Sequence, residues 1–282
     1  MIRDYERKAK IHGFTVARTA PSISHYSLPM IYSFIFFKAL VEEASHLQQI
    51  LKEYERASGQ CINLTKSSLA FSKNTCVSVR NHLSNILGIH YSGNNGNYLG
   101  LPMIIGRNKT EILNFIKHRI VSRIQGWNHR FISKAGREIL LKFVIQALPA
   151  YAMGVFLLPK GLINAVETTM NSYWWKGGGN NNKGIIWKNW KSLCIRKKWG
   201  GIGFWDLHGF NLALLSKQAW RLTSDPDSLV SKIYKARYYP NSSFLEANLG
   251  ANPSFIWSSL MATQDITLKM ENWQWFSHSY LG

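Results

Sequence analysis

Basic and aromatic side chains alternate between residues 107 and 142. Glu111 and Glu138 are the only carboxylates in this stretch of the sequence. Lys and Arg neutralise phosphate groups, and aromatic rings beside them offer faces on which bases can stack. These residue types indicate a nucleic-acid-binding surface. The candidate residues are Arg107, Lys109, Lys117, Arg119, Arg123, Trp127, Arg130, Lys134, Arg137 and Lys142.

The alternative interpretation of this stretch is a solvated helix surface with aromatic side chains in the core. Solubility alone explains such a one-sided charge poorly, because soluble surfaces usually mix both signs. A second basic segment contains Lys183, Lys188, Lys191, Arg196, Lys197 and Lys198, with Trp187, Trp190, Trp199 and Trp205 among them. Dense tryptophans are more often packing anchors than ligand platforms, so we expect Trp187 and Trp190 in the core.

The whole chain shares this charge bias. Lys and Arg together number 34 against 15 for Asp and Glu, which gives a net charge of +19 over 282 residues. Self-repulsion of this size destabilises a compact fold unless a polyanion compensates it. RNA or an RNA–DNA hybrid is therefore the expected partner, and the alternative is a basic protein without such a ligand.

Residue patterns for metal, acid–base or nucleophilic chemistry are weak. Asp225 and Asp227 flank Pro226 at a turn, where helix capping explains them better than metal binding. No HxxxH, HExxH or GxSxG pattern occurs, and the glycines at 200, 201 and 203 form a turn rather than a dinucleotide fingerprint. We therefore expect no metal site.

Cysteine usage and hydropathy bear on the compartment of the chain. Cys61, Cys76 and Cys194 are far apart and odd in number, so neither a disulfide framework nor a CxxC metal site is indicated. No apolar run approaches the roughly 20 residues of a membrane span, and no secretory signal is evident. We expect an intracellular protein that is not secreted and does not bind membranes, with the nucleus as one candidate compartment.

The elements that must position these side chains change in character along the chain. The first hundred or so residues indicate mixed α/β structure, with strands at 34–37, 61–64 and 68–71 and helices at 41–57 and 79–87 that stop at Gly59 and Gly88. The segment 93–97 is predicted to be a loop, and residues 98–102 are predicted to be extended.

From residue 109 onward the pattern becomes helical. One helix carries an apolar stripe of Ile112, Ile116, Ile120 and Ile124. The next begins after an N-cap at Ser133, and its stripe is Ala135, Ile139, Phe143 and Ala147. A helix after Pro159 is predicted to carry the apolar stripe Leu162, Ile163, Val166, Met170 and Tyr173, and further helices are predicted at about 210–222 and, opened by the turn Asp225-Pro226-Asp227, to about Tyr238. Residues 250–282 give weak signals, and we expect them to be loosely ordered. The fold class is therefore α+β and mostly helical.

Several motifs occur in register along nearly the whole chain, and together they resemble the LINE-type (non-LTR retrotransposon) reverse transcriptases of plants. The clearest are Tyr98-Leu99-Gly100-Leu101-Pro102, Ile124-Gln125-Gly126-Trp127, Ser133-Lys134-Ala135-Gly136-Arg137, Phe156-Leu157-Leu158-Pro159-Lys160, Gly200-Gly201-Ile202-Gly203-Phe204, the run from Asn211 to Gln218, and Lys235-Ala236-Arg237-Tyr238-Tyr239-Pro240. The resemblance implies an RNA-directed DNA polymerase ancestry.

The resemblance also implies a palm turn of the form aromatic-Ala-Asp-Asp, whose aspartates bind two Mg²⁺ ions. At that place this sequence has Pro29, Met30, Ile31 and Tyr32, with no carboxylate. We therefore expect no catalytic residues, no bound metal or other cofactor and no DNA synthesis. Pro29 is also expected to disturb a hairpin there, since it donates no ladder hydrogen bond.

By resemblance, residues 1–105 correspond to a truncated α/β palm remnant, 106–175 to a thumb-like basic helical bundle, and 176–282 to a helical linker before an absent zinc-binding region. The expected function is that of a degenerate polymerase fragment that retains nucleic-acid binding. The alternatives are a translated pseudogene without function and a non-catalytic subunit that acts in trans. Apolar side chains at 34–37, left uncovered in a truncated palm, would favour aggregation in the pseudogene case.

Overall fold

The computed structural model describes residues 2–28, 32–72, 74–89, 91, 97–98, 101–102, 108–127, 132–177 and 184–269. Helices dominate these ranges, and their strands form two short antiparallel pairs, so the predicted mostly helical α+β class is confirmed. The chain forms two compact units, one of residues 1–104 with 232–237 and one of 105–231 with 238–282. The predicted division into polymerase-like regions at 105 and 175 stays a prediction.

The first unit begins with helix α1 (Ile2–Arg7) and a hairpin of strands β1 (His25–Leu28) and β2 (Tyr32–Ile35). Tyr26 pairs with Phe34 in the middle of this antiparallel register. Pro29, Met30 and Ile31 lie outside the described residues. The hairpin pairs up to Leu28 and Tyr32 on either side of them, so the expected disturbance by Pro29 does not reach these strands.

Helices α2 (Val41–Ser58) and α3 (Val77–Leu87) pack against each other and form the core of this unit. Ala44 and Leu83 are fully buried where they meet. Both helices end at a glycine in the left-handed conformation, Gly59 at φ 68° and Gly88 at φ 66°. Because only glycine adopts this conformation without a Cβ penalty, the predicted stops are confirmed.

The apolar run after the hairpin is largely covered. Ile35 and Phe37 pack partly buried against the α2–α3 core. Phe36 points away from it and stacks on Phe14, with ring centroids 6.4 Å apart. The expectation of an uncovered apolar surface at 34–37 is therefore wrong for Ile35, at the end of β2, and for Phe37, two residues beyond it, because both pack against the α2–α3 core.

The strands predicted at 61–64 and 68–71 do not form. A short 3₁₀ turn, Leu64–Lys66, lies between these segments instead, and Asn63 caps it by accepting a hydrogen bond from the Lys66 N–H at 3.0 Å. A local side-chain bond of this kind competes with strand pairing. Farther along, β3 (Asn97–Tyr98) and β4 (Leu101–Pro102) form a minimal hairpin, and most of the predicted 93–97 loop lies outside the described residues.

The second unit contains α4 (Lys109–Gln125), α5 (Lys134–Leu140), α6 (Ala150–Met153), α7 (Lys160–Lys176), α8 (Trp190–Cys194), α9 (Leu207–Ser224) and α11 (Phe255–Met261). Helix α10 (Leu229–Tyr238) contributes residues to both units. Helices α4 and α5 pack against α7, whereas α6, α7 and α11 pack against α9. The predicted apolar stripe of α7 is confirmed, since Leu162, Ile163, Val166, Met170 and Tyr173 are all buried.

The apolar stripe predicted for the next helix is wrong. Helix α5 continues as a π-helical turn, Leu141–Ile145, and Leu141 and Ile145 are the fully buried residues of this turn. Ile139 and Phe143 face solvent, and Phe143 is 74% exposed; Ala135 and Ala147 are exposed as well. Both Ile139 with Phe143 and Leu141 with Ile145 are apolar pairs spaced by four residues. Periodicity alone cannot decide which pair faces α7.

The end of the chain is better packed than its weak sequence signals indicated. Trp257 in α11 is fully buried, and its ring stacks on that of Tyr238 at 4.5 Å. Ser254 caps the helix by accepting a hydrogen bond from the Trp257 N–H. The expectation of loose order from 250 onward is therefore wrong as far as residue 269, because one buried aromatic anchors the segment.

Candidate nucleic-acid interface

Helix α4 separates apolar from basic side chains. Leu113, Ile116, Ile120 and Ile124 are buried, which confirms the predicted stripe except at Ile112, whose side chain lies outside the described residues. Arg119 and Arg123 lie one helical turn apart on the exposed side. Neither arginine forms an ion pair within the described part of the chain. The outer surface of α4 therefore presents to solvent two positive charges that pair with no described carboxylate.

Aromatic rings lie under two cations of this helix. The guanidinium of Arg119 is 5.2 Å from the centroid of Phe115, one turn earlier. The Lys109 Nζ is 4.2 Å from the centroid of Phe255, which itself stacks on Phe156 at 5.2 Å. Lys109 thereby joins the start of α4 to α11. Lys117 is only half-exposed at the border of the buried stripe.

Three further candidates gather at the C-terminal end of α7. The Lys134 Nζ donates a 2.7 Å hydrogen bond to the carbonyl of Trp174 and lies 4.9 Å above its ring. The Arg137 guanidinium lies against Gly177, where an added Cβ would be 2.8 Å from it. Trp127 packs beside Tyr173 at 5.5 Å. Cations near the last carbonyls stabilise a helix, so these residues have a structural role whether or not they contact a ligand.

The two cations at this helix end affect each other. Desolvation and the neighbouring charge of Arg137 lower the pKa of Lys134. The Arg137 Nε is buried without a hydrogen-bond partner among the described residues. Two adjacent cations without a carboxylate between them favour a bound anion.

Lys142 serves an internal contact. Its Nζ donates to Glu138 and to the carbonyl of Ile202, both at 2.8 Å. Because both contacts hold the ammonium within the protein, Lys142 is less available to a phosphate than the arginines of α4. Arg107 and Arg130 lie outside the described residues. The described candidates thus differ in their surroundings: some face solvent on α4, some lie at the end of α7, and Lys142 is held by internal contacts.

The tryptophans of the second basic segment differ in burial. Trp190 is buried, as predicted, and stacks on Phe204 at 4.8 Å with the rings nearly parallel. Trp187 is 72% exposed, so its predicted place in the core is wrong. Trp199 is exposed as well. Composition cannot separate these cases, because a tryptophan is buried only where a neighbouring apolar face is available.

The surroundings of the hairpin matter for the question of catalysis. Between Glu6 and Glu42 the sequence contains no carboxylate. Glu43 is buried and accepts hydrogen bonds from the backbone N–H groups of His12 at 3.2 Å and Lys38 at 2.8 Å. Its carboxylate is therefore engaged in holding the chain together.

Other reactive groups are dispersed. Within the described ranges, His, Cys, Asp and Glu side chains do not converge in a group of three that could hold a metal ion. The cysteines are free thiols, and burial raises the pKa of Cys194 to about 12, which keeps this thiol protonated at neutral pH. In the same ranges, no helix has the length and apolar character to traverse a bilayer.

Comparison with known proteins gives two relatives from Arabidopsis thaliana. An uncharacterized mitochondrial protein is 40% identical over 122 residues, which cover 43% of this chain and 79% of that protein. The chain belongs to the family of this mitochondrial protein. A "putative ribonuclease H protein" is 30% identical over 140 residues, which cover 49% of this chain and 22% of that protein. No family model matches the chain.

Together the relatives show a chain related to retrotransposon proteins, which is a coarser class than the LINE-type reverse transcriptases that the motifs resemble. The chain spans about a fifth of the length of the second relative. The ribonuclease H activity in the name of that relative therefore describes that protein and not this chain.

Proposed function

We propose that the chain is a non-catalytic relative of LINE-type reverse transcriptases that binds nucleic acid through the outer surface of α4. The observation that carries the proposal is the pair Arg119 and Arg123, which are exposed, one turn apart and without an ion pair to a described residue. Between Glu111 and Glu138 the sequence supplies no carboxylate that could compensate them.

The physical basis is counterion release. A phosphate backbone carries a condensed layer of cations, and each arginine that replaces one of them gains free energy from its release. Arginine also binds a phosphate through two parallel N–H donors, which fixes orientation as well as charge. A rigid helix with arginines spaced by one turn can therefore grip successive phosphates of a duplex such as an RNA–DNA hybrid.

The structural roles of other cations support this assignment. Lys134 caps α7, and Lys142 is bonded to Glu138 and Ile202. Their replacement would change folding and binding together. Arg119 and Arg123 have no such second role among the described contacts apart from the Phe115 ring, so their replacement should report binding alone.

The experiment is a titration of the purified chain with an RNA–DNA hybrid at fixed salt. The double variant Arg119→Gln, Arg123→Gln is compared with Lys217→Gln, Arg221→Gln. The control pair is also exposed and spaced by one turn, but it lies on α9. We expect weaker binding only for the α4 variant. An equal loss of affinity in both double variants would show that binding depends on net charge and not on the position of the arginines. Aggregation of the wild-type chain would favour the pseudogene alternative.

The non-catalytic part of the proposal has a separate test. Nucleotidyl transfer depends on carboxylates that hold divalent ions at the primer end. The supporting observation is the absence of any Asp or Glu between residues 7 and 41, where the resemblance expects them. Incubation with primer–template, nucleotides and Mg²⁺ is expected to give no extension, and extension by the purified chain would contradict the proposal.

A further inference from the structure

Residues 195–204, the first ten residues of the connection between α8 and α9, present a tryptophan to solvent. We refer to these residues as the Trp199 loop. Trp199 is 65% exposed although it is the largest side chain of the loop. Burying an aromatic ring of this size is favourable, so a loop that keeps it in solvent forgoes stability.

The backbone of the loop is closed by its own hydrogen bonds. The Gly203 N–H donates to the carbonyl of Ile195 at 2.9 Å, and the Ile202 N–H donates to that of Leu193 at 3.0 Å. Gly201 passes so close to Ile195 that an added Cβ would lie 1.9 Å from its carbonyl oxygen. The short 3₁₀ turn Lys197–Trp199 at the tip of the loop is thus held by backbone that its own hydrogen bonds close tightly.

Side chains from the rest of the second unit contact the loop and hold its backbone in place. Phe204 is buried and stacks on Trp190. The Lys142 Nζ donates to the Ile202 carbonyl, and Lys197 forms a 2.6 Å ion pair with Glu138. Because the backbone that carries it is already fixed, the Trp199 ring loses little conformational entropy when it binds a ligand.

Two cations accompany the exposed ring. The Lys198 Nζ lies 4.4 Å from the centroid of Trp199, and the Arg196 guanidinium lies 5.8 Å from it. Residues 195–204 contain no acidic residue, and Asp206, two residues beyond them, caps α9 by accepting hydrogen bonds from the N–H groups of His208 and Gly209. Glu138 compensates Lys197 and Lys142, and no ion pair to a described residue involves Arg196 or Lys198. A flat aromatic face beside uncompensated positive charges matches the chemistry of a base next to its phosphates.

We propose that the Trp199 loop binds unpaired nucleic acid, with a base stacked on Trp199 and the flanking phosphates at Arg196 and Lys198. The inference rests on the proposed nucleic-acid function and extends it from a duplex backbone to a single strand. Bases inside a duplex are already stacked on each other, so only an unpaired base can use the ring. An acidic peptide would satisfy the cations but would leave the indole face without a planar partner.

The test compares a blunt RNA–DNA hybrid with the same hybrid carrying a single-stranded overhang. We expect the wild-type chain to prefer the overhang. Trp199→Ala should lose that preference by roughly fivefold or more, as loss of one stacked base predicts, whereas Trp199→Phe should retain part of it. Trp187→Ala is the matched control, because Trp187 is similarly exposed, 72% against 65% for Trp199, and no described cation lies over its ring.

A substrate with an abasic overhang gives a readout that does not depend on any variant. It keeps the phosphates but removes the bases, so the wild-type chain should bind it like the Trp199→Ala variant binds the intact overhang. Equal binding of intact and abasic overhangs would overturn the stacking proposal. So would unchanged overhang preference in Trp199→Ala.

Failure of the two proposals can be told apart. A wild-type chain that binds neither substrate overturns the nucleic-acid function and this inference together. A chain that binds the blunt hybrid through α4 but ignores the overhang overturns only the role of Trp199.

Discussion

Asn211 in α9 is hydrogen-bonded to the backbone of Leu158, with its side-chain oxygen 2.8 Å from the Leu158 nitrogen. Its amide nitrogen donates to the carbonyls of Met153 at 2.7 Å and Phe156 at 3.0 Å. The Asn211 side chain is fully buried. One side chain thus satisfies three backbone groups, at the last residue of α6 and in the segment that connects α6 to α7, which explains why an amide is buried here.

Replacing Asn211 with Leu should destabilise the chain strongly. Leucine has a similar volume but leaves these three backbone groups unpaired, at a cost of roughly 2–4 kcal/mol. The measurement is the free energy of unfolding in urea. Asn164→Leu, on the exposed side of α7, is the control and should change it by less than about 0.5 kcal/mol. Equal effects would show that the Asn211 bonds contribute nothing specific.

The glycines of the Trp199 loop allow a matched comparison. Gly201→Ala places a Cβ against the Ile195 carbonyl, whereas Gly200→Ala meets no atom within 4 Å and is strained only by its φ of +84°. We expect Gly200→Ala to cost about 1 kcal/mol and Gly201→Ala clearly more, because the backbone must move. Thermal unfolding measures both. A smaller loss for Gly201→Ala would mean that the loop is loosely held.

The face of α5 that packs into the core can be tested by truncation. Leu141→Ala should destabilise the protein by about 2–5 kcal/mol, because it opens a cavity in a buried site. Phe143→Ala truncates a larger side chain, but one that is exposed to solvent, and should change the free energy of unfolding by no more than about 0.5 kcal/mol. Urea unfolding measures the stability lost in each variant. A larger loss for Phe143→Ala than for Leu141→Ala would support the apolar stripe that the sequence periodicity predicted.

Glu138 should make stability depend on pH. Hydrogen bonds from Lys142 and Lys197 lower the pKa of this carboxyl below its usual value of 4.5. A lowered folded-state pKa means that the carboxylate stabilises the fold above the unfolded pKa and loses this contribution as pH falls through the folded one. Glu138→Gln should therefore cost about 1 kcal/mol at pH 7 and almost nothing in strong acid.

The comparison between wild type and Glu138→Gln is made by unfolding at a series of pH values. A double-mutant cycle with Lys142→Gln separates the pair from other effects of the substitution. A constant difference between the two proteins from pH 7 to strong acid would contradict the assignment.

Elements with one apolar helical face were predictable from the sequence. The stripe from Leu162 to Tyr173 allowed one orientation of α7, and the glycines at 59 and 88 marked the ends of their helices. Where two faces were apolar, as around Leu141 and Phe143, the sequence could not choose, since the choice depends on the position of α7.

The candidate site was less predictable for a related reason. The basic residue types indicated the ligand class. In the sequence, however, nothing separates Lys134 and Lys142, which are held by backbone carbonyls, from Arg119, which faces solvent. The carbonyls that hold these two lysines come from residues 40 and 60 positions away, respectively. Long-range backbone contacts of this kind leave no local signal.

The salt dependence of binding to an RNA–DNA hybrid tests the central claim most directly. The logarithm of the association constant should fall linearly with the logarithm of salt concentration, by about 0.9 for each phosphate contact. Arg119→Gln, Arg123→Gln should lower this slope by nearly two contacts, and the α9 control pair should leave it unchanged. A flat dependence, or the same slope in the α4 variant, would contradict the account.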